Sequence, residues 1–361
     1  MLCIVIVHCT LCIDLPISKS IANRLLILQA MHGDSLLSVS AANIPDDVRL
    51  LHDALQTLQA HCTQTLDLRN CGTAMRFLTA YCAQLTGCDV VLTGTERMQQ
   101  RPIGQLVAAL RALGADIEYQ GKEGYPPLHI RGKELPSKAV HIENPQSTQF
   151  VSALLLIGVP VTTNIVSPYI EMTRSLCRKF TNLQIYKFTN SEIESDWSAA
   201  AFWYEYTALH GGTLSLRGLQ RVSLQGDKVV ADLFTRFGVQ TAYQPDGITI
   251  SKNRKENENN IGTAGTIAFD FTCCPDLYPA VAITCEQLGI PLVASGTESL
   301  RIKESDRLQA VAEHRVCGDH RIAMALLAAD LPCDDTACIA KSYPDFYCQL
   351  CVLNESSRAG V

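Results

Sequence analysis

The chain has 361 residues, 47% of them hydrophobic and 18% charged, which excludes a disordered chain and is ample for two packed cores. Its 30 basic and 36 acidic residues give a net charge of −6, so nothing gathers a broad positive field for nucleic acid or an anionic membrane. No apolar run has the length needed to cross a bilayer, and any anionic ligand must be met by a few placed cations inside a cleft.

Met1 to Cys12 is apolar but has no basic residue before Lys19. A secretory leader needs a positive start, so this stretch is predicted to be a buried β-strand. The sixteen cysteines are scattered along a long chain and read as reduced, small apolar residues of a cytoplasmic protein. Cys9 with Cys12 and Cys348 with Cys351 have C-x-x-C spacing, but the pairs lie at opposite ends of the chain, and no metal site is expected.

One pattern then recurs six times: a polar or glycine-bearing start, an apolar run of helix length, and a short β-like tail. The copies span Ser18–Ser40, Gly72–Gly94, Ser147–Ser167, Asp196–Gly218, Pro275–Gly296 and Gly318–Lys341. Most starts are Ser, Thr, Asp or Gly, as helix N-caps should be. A second helix-then-hairpin element lies between copies. Leu106–Tyr119 and Val230–Tyr243 match closely, each with Tyr five residues after a helix-ending glycine, Gly114 or Gly238, and each followed by an alternating strand, Leu128–Ile130 or Ile248–Ile250. Asp47–Leu58 and Glu171–Phe180 are weaker versions. The pattern predicts an α/β fold with internal symmetry, about six units in two domains. Six helix starts could point unpaired N–H groups into one space and form an anion cleft.

The charged motifs sit at those starts. Lys19, Ser20 and Arg24 follow Pro16-Ile17-Ser18; Lys19 and Arg24 are roughly 140° apart around a helix, so both flank one anion only near the cap. Asn70-Cys71-Gly72-Thr73-Ala74-Met75-Arg76 offers a glycine for close backbone approach. Arg97-Met98-Gln99-Gln100-Arg101-Pro102 puts two arginines before a proline at a helix start, a good carboxylate or phosphate clamp. Arg301 to Arg307 packs five charges into seven positions after a strand, and Gly318-Asp319-His320-Arg321 and Lys341-Ser342-Tyr343-Pro344-Asp345 follow.

These blocks, with Ser147-Thr148-Gln149-Phe150, Ser223 to Asp227 and Pro275-Asp276-Leu277, resemble in order the 3-phosphoshikimate 1-carboxyvinyltransferase (EPSP synthase) family over nearly the whole chain. The resemblance implies a two-domain enolpyruvyl transferase fold of six βαβαββ repeats, three per domain. The first domain would be residues 17–224, and the second 1–16 plus 225–361, with hinges near 16–19 and 224–227. It implies transfer of the enolpyruvyl group of phosphoenolpyruvate to the 5-hydroxyl of shikimate 3-phosphate, on the way to chorismate, by a monomer with no metal or organic cofactor. Shikimate 3-phosphate would be held by Lys19, Ser20, Arg24, Ser147, Thr148, Ser167, Asp276, Ser299 and Lys303. Phosphoenolpyruvate would be held by Lys19, Gly72, Arg101, Gln149, Arg307, Arg321 and Lys341. Asp276 would take the hydroxyl proton, Glu304 would protonate the methylene, and Lys19 would lie between the two anions.

Three departures stand out. Ile17 replaces a usual glycine at a hinge, and Ser299 stands where some members have Asn. Only Leu308–Gly318 separates two of the charged blocks, so the fifth repeat is expected to be truncated to a helical stub, Leu308–His314, with sheet missing. That truncation favours the alternative of a degenerate, non-catalytic ligand-binding homologue. The related UDP-N-acetylglucosamine enolpyruvyl transferase is expected to carry a cysteine ahead of its arginine, and the loop Gly94–Met98 has none.

Overall fold

A computed structural model describes residues 11–41, 43–60, 63–183, 192–253 and 265–359. The strand predicted at the N-terminus is described only as β1 (Leu11–Ile13), and Cys9 lies outside the described residues. Helices α1 (Lys19–His32) and α2 (Asp46–Ala60) follow. Next come β2 (Thr63–Asp67), α3 (Gly72–Gln84), β3 (Asp89–Thr93), the short α4 (Glu96–Gln99), α5 (Gly104–Ala112), β4 (Asp116–Tyr119) and β5 (Leu128–Arg131). A smaller unit has β6 (Val140–Ile142), α6 (Thr148–Leu156), β7 (Val161–Thr163) and α7 (Pro168–Leu183). The second half has α8 (Trp197–His210), β8 (Gly212–Arg217), the single turn α9 (Val230–Leu233), β9 (Gln240–Gln244) and β10 (Gly247–Lys252). It continues with β11 (Ile267–Asp270), α10 (Tyr278–Gln287), β12 (Leu292–Ser295), α11 (Arg307–Ala312), α12 (His320–Ala328) and α13 (Phe346–Ala359). No described helix is long and apolar enough to cross a membrane.

Each of the six recurrent starts opens a helix: α1, α3, α6, α8, α10 and α12. Helices α1, α3, α8 and α12 are apolar nearly all round and are buried on most of their surface, as such helices must be. They pack as two triads, α1 with α3 and α6, and α8 with α10 and α12. The amphipathic α2 and α7 cover the first triad from outside. Two sheets have the same topology: β2-β3-β5-β4 and β1-β8-β10-β9, each with its first pair parallel and the rest antiparallel. Gly114 and Gly238, which end the helical segments before β4 and β9, both take positive φ (94° and 84°), the conformation that suits glycine.

Four predicted strand tails form, as β3, β7, β8 and β12, but residues 34–40 and 329–336 are not strands. Leu37 and Leu331 instead pack as loop residues against the helices, so burial there is achieved without pairing. The β11–β12 sheet has two strands among the described residues, and α11 has six residues, close to the expected stub. Val293 on β12 is 58% exposed.

Apolar packing falls into two clusters, one of residues from Ile21 to Ile193, the other of Ile13, Leu15 and residues from Trp197 to Leu353. The sequence expectation places the crossing at 224–227, and the partly buried Leu224 still packs against the first cluster, while buried membership changes between Ile193 and Trp197. The cause is α8, whose Trp197, Phe202 and Trp203 join the second cluster. The two chain passages meet side by side: Ser18 N donates to Glu194 O (2.8 Å), Asp196 N donates to Pro16 O (2.9 Å), and Ile17 bridges Ser195. Ile17 keeps negative φ there, so the absent glycine imposes no backbone penalty. Gln225 fastens the passages together. Its Oε1 accepts from Ser18 Oγ (2.9 Å) and Trp197 N (3.1 Å), and its Nε2 donates to Glu194 Oε2 (2.9 Å) and Ser195 O (2.8 Å).

Two stability effects follow. Gln225→Ala should cost about 3 kcal/mol, because four buried groups lose a partner; a urea-unfolding loss below about 0.5 kcal/mol would refute the fastening role. Glu205, buried in α8, has no hydrogen-bond partner among the described residues, and burial pushes its carboxyl well above the usual range. The folded chain therefore holds a proton that the unfolded chain releases above about pH 4.3, and stability falls as pH rises from there. Glu205→Met should raise stability at pH 7 by about 1–3 kcal/mol, with a smaller gain at pH 5, read from paired denaturation curves.

Candidate active site

Five of the six inner helices present their starts to one cleft of about 490 Å3. Ser18 caps α1 and sets Lys19, Ser20 and Arg24 along its first turns. Cys71 caps α3 through its sulfur, which places Gly72 and Thr73 at the cleft wall. Ser147 caps α6, and its neighbour Gln149 donates from Nε2 to Thr73 Oγ1 at 3.0 Å. The turn Pro275–Leu277 ahead of α10 brings in Asp276, and Asp319, capping α12, brings in His320 and Arg321. The start of α8 departs from this pattern. Its cap, Asp196, is turned to the passage between halves, where it also accepts from Lys19 N (3.1 Å).

Seven basic and four acidic side chains line the cleft, a positive hollow in a protein whose net charge is −6. Two carboxylates gather most of the cations. Asp276 meets Arg307 Nη1 (2.7 Å), Arg321 Nη2 (2.8 Å) and Lys303 Nζ (3.5 Å). Glu304 meets Lys341 Nζ (2.8 Å), Arg307 Nη2 (3.2 Å) and, more loosely, Arg101 Nη1 (3.9 Å). Burial alone would push both carboxyls up, but these cations hold both well below the usual range. Burial lowers Lys303, whereas Lys341 is raised because Glu304 and Asp47 outweigh its burial. Arg307, 1% exposed, also donates Nε to Asp319 Oδ2 at 2.8 Å, so one guanidinium braces three carboxylates.

Contacts cross between the two halves of the chain on both sides of this charge cluster. Arg97 donates Nε and Nη2 to Lys303 O (3.2 and 3.0 Å) and Nη2 to Arg301 O (3.1 Å). Lys341 Nζ donates to Asn70 O at 2.9 Å.

The residues nominated from sequence, Lys19, Ser20, Arg24, Gly72, Arg101, Ser147, Thr148, Gln149, Ser167, Asp276, Ser299, Lys303, Glu304, Arg307 and Arg321, all line the cleft. Lys341 does not line it and reaches it through Glu304. Arg24 is already engaged: its guanidinium donates to Thr173 Oγ1 (2.7 Å), Ser20 O (2.7 Å), Ser152 Oγ (3.2 Å) and Tyr169 O (3.2 Å), all neutral, and burial draws its pKa down to about 10.

Several residues carried no expectation. Asp47 pairs with Lys19 Nζ at 3.0 Å, and only its place in the first turn of an acidic-starting helix hinted at it. Tyr169 donates to Asp227 Oδ1 (3.1 Å) and Ser198 Oγ donates to Asp227 Oδ2; burial raises the Asp227 carboxyl to about 6. His320 has neither ring nitrogen hydrogen-bonded among the described residues, and burial next to Lys19 and Arg321 keeps its ring neutral. Arg76, one turn beyond Gly72, also faces the cleft.

A family model described as EPSP synthase (3-phosphoshikimate 1-carboxyvinyltransferase) matches residues 45–315. A 3-phosphoshikimate 1-carboxyvinyltransferase of Bacteroides fragilis (strain YCH46) is 37% identical, covering 96% of this chain and 95% of its own. One from Colwellia psychrerythraea (strain 34H / ATCC BAA-681) is 30% identical, covering 94% and 95%. Among solved structures, an EPSP synthase from Acinetobacter baumannii superposes with a TM-score of 0.67 at 20% identity, covering 94% of this chain and 95% of that one, a likeness of fold. With a family model over most of its length and full-length relatives above 30% identity, the chain belongs to the EPSP synthase (3-phosphoshikimate 1-carboxyvinyltransferase) family.

Proposed function

We propose that this cleft transfers the enolpyruvyl group of phosphoenolpyruvate to the 5-hydroxyl of shikimate 3-phosphate and releases phosphate. The observation that carries this reading is the excess of buried cations from both halves around two neighbouring carboxylates. Two phosphorylated carboxylic acids are ligands that such a charge set can neutralise, and a dry cleft strengthens each contact. We assign shikimate 3-phosphate to the side of Lys19, Ser20, Arg24, Ser147, Thr148, Ser167, Ser299 and Lys303. We assign phosphoenolpyruvate to Gly72, Arg101, Gln149, Arg321 and Lys341, with Lys19 between the two. Arg307 supports both carboxylates from beneath, and the two apolar clusters serve as cores of two domains that close on the substrates.

Chemistry requires the carboxylates to be released from their cations. As the substrates' own anions draw Arg321, Lys303 and Lys341 away, Asp276 and Glu304 lose the charges that hold their proton affinity down. Asp276 then accepts the hydroxyl proton as the sugar oxygen bonds to C2 of phosphoenolpyruvate, while Glu304, protonated, gives its proton to C3. The tetrahedral adduct next loses a proton from the new methyl group and expels phosphate, which regenerates the enol ether; the same two carboxyls exchange roles. We propose that the protein acts as a monomer in a reducing cytoplasm, which the unbridged thiols of Cys71, Cys274 and Cys285 suit.

Purified protein given phosphoenolpyruvate should release phosphate only with shikimate 3-phosphate present. Release with UDP-N-acetylglucosamine instead, or binding of both substrates without release, would overturn the assignment. Asp276→Asn and Glu304→Gln should each lower turnover about a hundredfold or more, and unchanged turnover in either removes its role. Because both carboxyls are depressed in the folded chain, their contribution to stability is complete above about pH 4.3 and disappears as pH falls further. Urea midpoints should therefore be flat from pH 7 to about 5 apart from the Glu205 effect and fall below about pH 4, with a shallower acid slope in Asp276→Asn.

A further inference from the structure

Arg76 is 3% exposed and lines the cleft from the first turns of α3. Its Nη2 donates to Pro102 O at 3.2 Å, whereas Nε and Nη1 have no hydrogen-bond partner among the described residues. Arg101 lies beside it, with its own Nε unpartnered and Nη1 on Asn70 O at 3.3 Å. A Cβ built on Gly72 would come within 2.3 Å of Arg76 Nη1 and 2.7 Å of Arg101 Nη2, so both guanidinium groups press on the glycine at the helix start. Glu304, 3.9 Å from Arg101, is already shared with Arg307 and Lys341. Two buried positive groups thus face the start of α3 with too little negative charge to balance them, an arrangement costly unless an anion completes it. A brace to the Pro102 carbonyl would use one donor and leave two desolvated.

We infer that Arg76 is a binding residue, the second guanidinium arm of a phosphoryl subsite formed by Gly72, Arg101 and the first N–H groups of α3. A tetrahedral oxyanion has enough oxygens to meet both arms and the helix start at once, which a planar carboxylate does not. The inference rests on the proposed reaction only in naming phosphoenolpyruvate as the source of the phosphoryl group.

The test compares wild type, Arg76→Gln and Arg76→Lys in two assays. Inorganic phosphate should raise the thermal midpoint of the wild type, and its apparent Kd from that shift should weaken at least about tenfold in Arg76→Gln. In turnover, the KM for phosphoenolpyruvate should rise by a similar factor while that for shikimate 3-phosphate stays within about twofold. Arg76→Lys, which keeps the charge but loses the fork, should fall between the two and carries the test if the glutamine variant does not fold. Phosphate affinity and phosphoenolpyruvate KM unchanged in the variants would overturn the inference. If the wild type shows no enolpyruvyl transfer, the proposed reaction fails, while the phosphate titration still decides the role of Arg76.

Discussion

The site is organised by a charge balance that the protein alone leaves incomplete. Seven basic side chains line a hollow where four acidic ones cannot match them, and the two best-placed acids, Asp276 and Glu304, each serve as counterion to several cations. In water such pairs would be worth little, but among buried groups each unmatched charge is expensive. The carboxylates therefore occupy positions that anionic ligands contest. In the proposed reaction, binding and proton transfer are linked through the same cations: a ligand that takes a cation would also return basicity to a carboxylate.

That balance depends on bringing distant parts of the chain together, and the fold does so with helix starts. The inner helices form two triads, α1, α3, α6 and α8, α10, α12, buried on most of their surface, and five of the six, all but α8, turn their starts to the cleft. Where the chain passes between the two apolar clusters, it does so twice in adjacent strands of backbone, joined by Gln225 and Glu194. A polar joint of this kind has directional contacts and little apolar area, so it fixes which residues meet while contributing less to cohesion than either core.

Much of this was legible in the residues themselves. The six helix starts could be read because capping residues and apolar runs are local signals, and the charged blocks were conspicuous because they stand at those starts. The tails at 34–40 and 329–336 were misread as strands, since a short apolar run is the same whether it pairs or packs as a loop. The change of cluster between Ile193 and Trp197 left no mark of its own, because α8 carries the same start signal whichever core it joins. Pairings such as Lys19 with Asp47, or Lys341 with Glu304 and Asn70, left no trace in spacing, for they join residues 28 to 271 positions apart. Arg76 stood in a quoted motif without a role, because what distinguishes it is the shortage of partners around it.

Arg307 has a consequence of its own. Its rigid planar guanidinium touches Asp276 and Glu304 on separate nitrogens while Asp319, at the cap of α12, anchors a third edge. The spacing between the two carboxyls is thereby measured off by a flat, nearly inextensible template tied to a helix end, so neither can drift without dragging its counterpart. A flexible ammonium in its place would preserve the charge and lose the ruler.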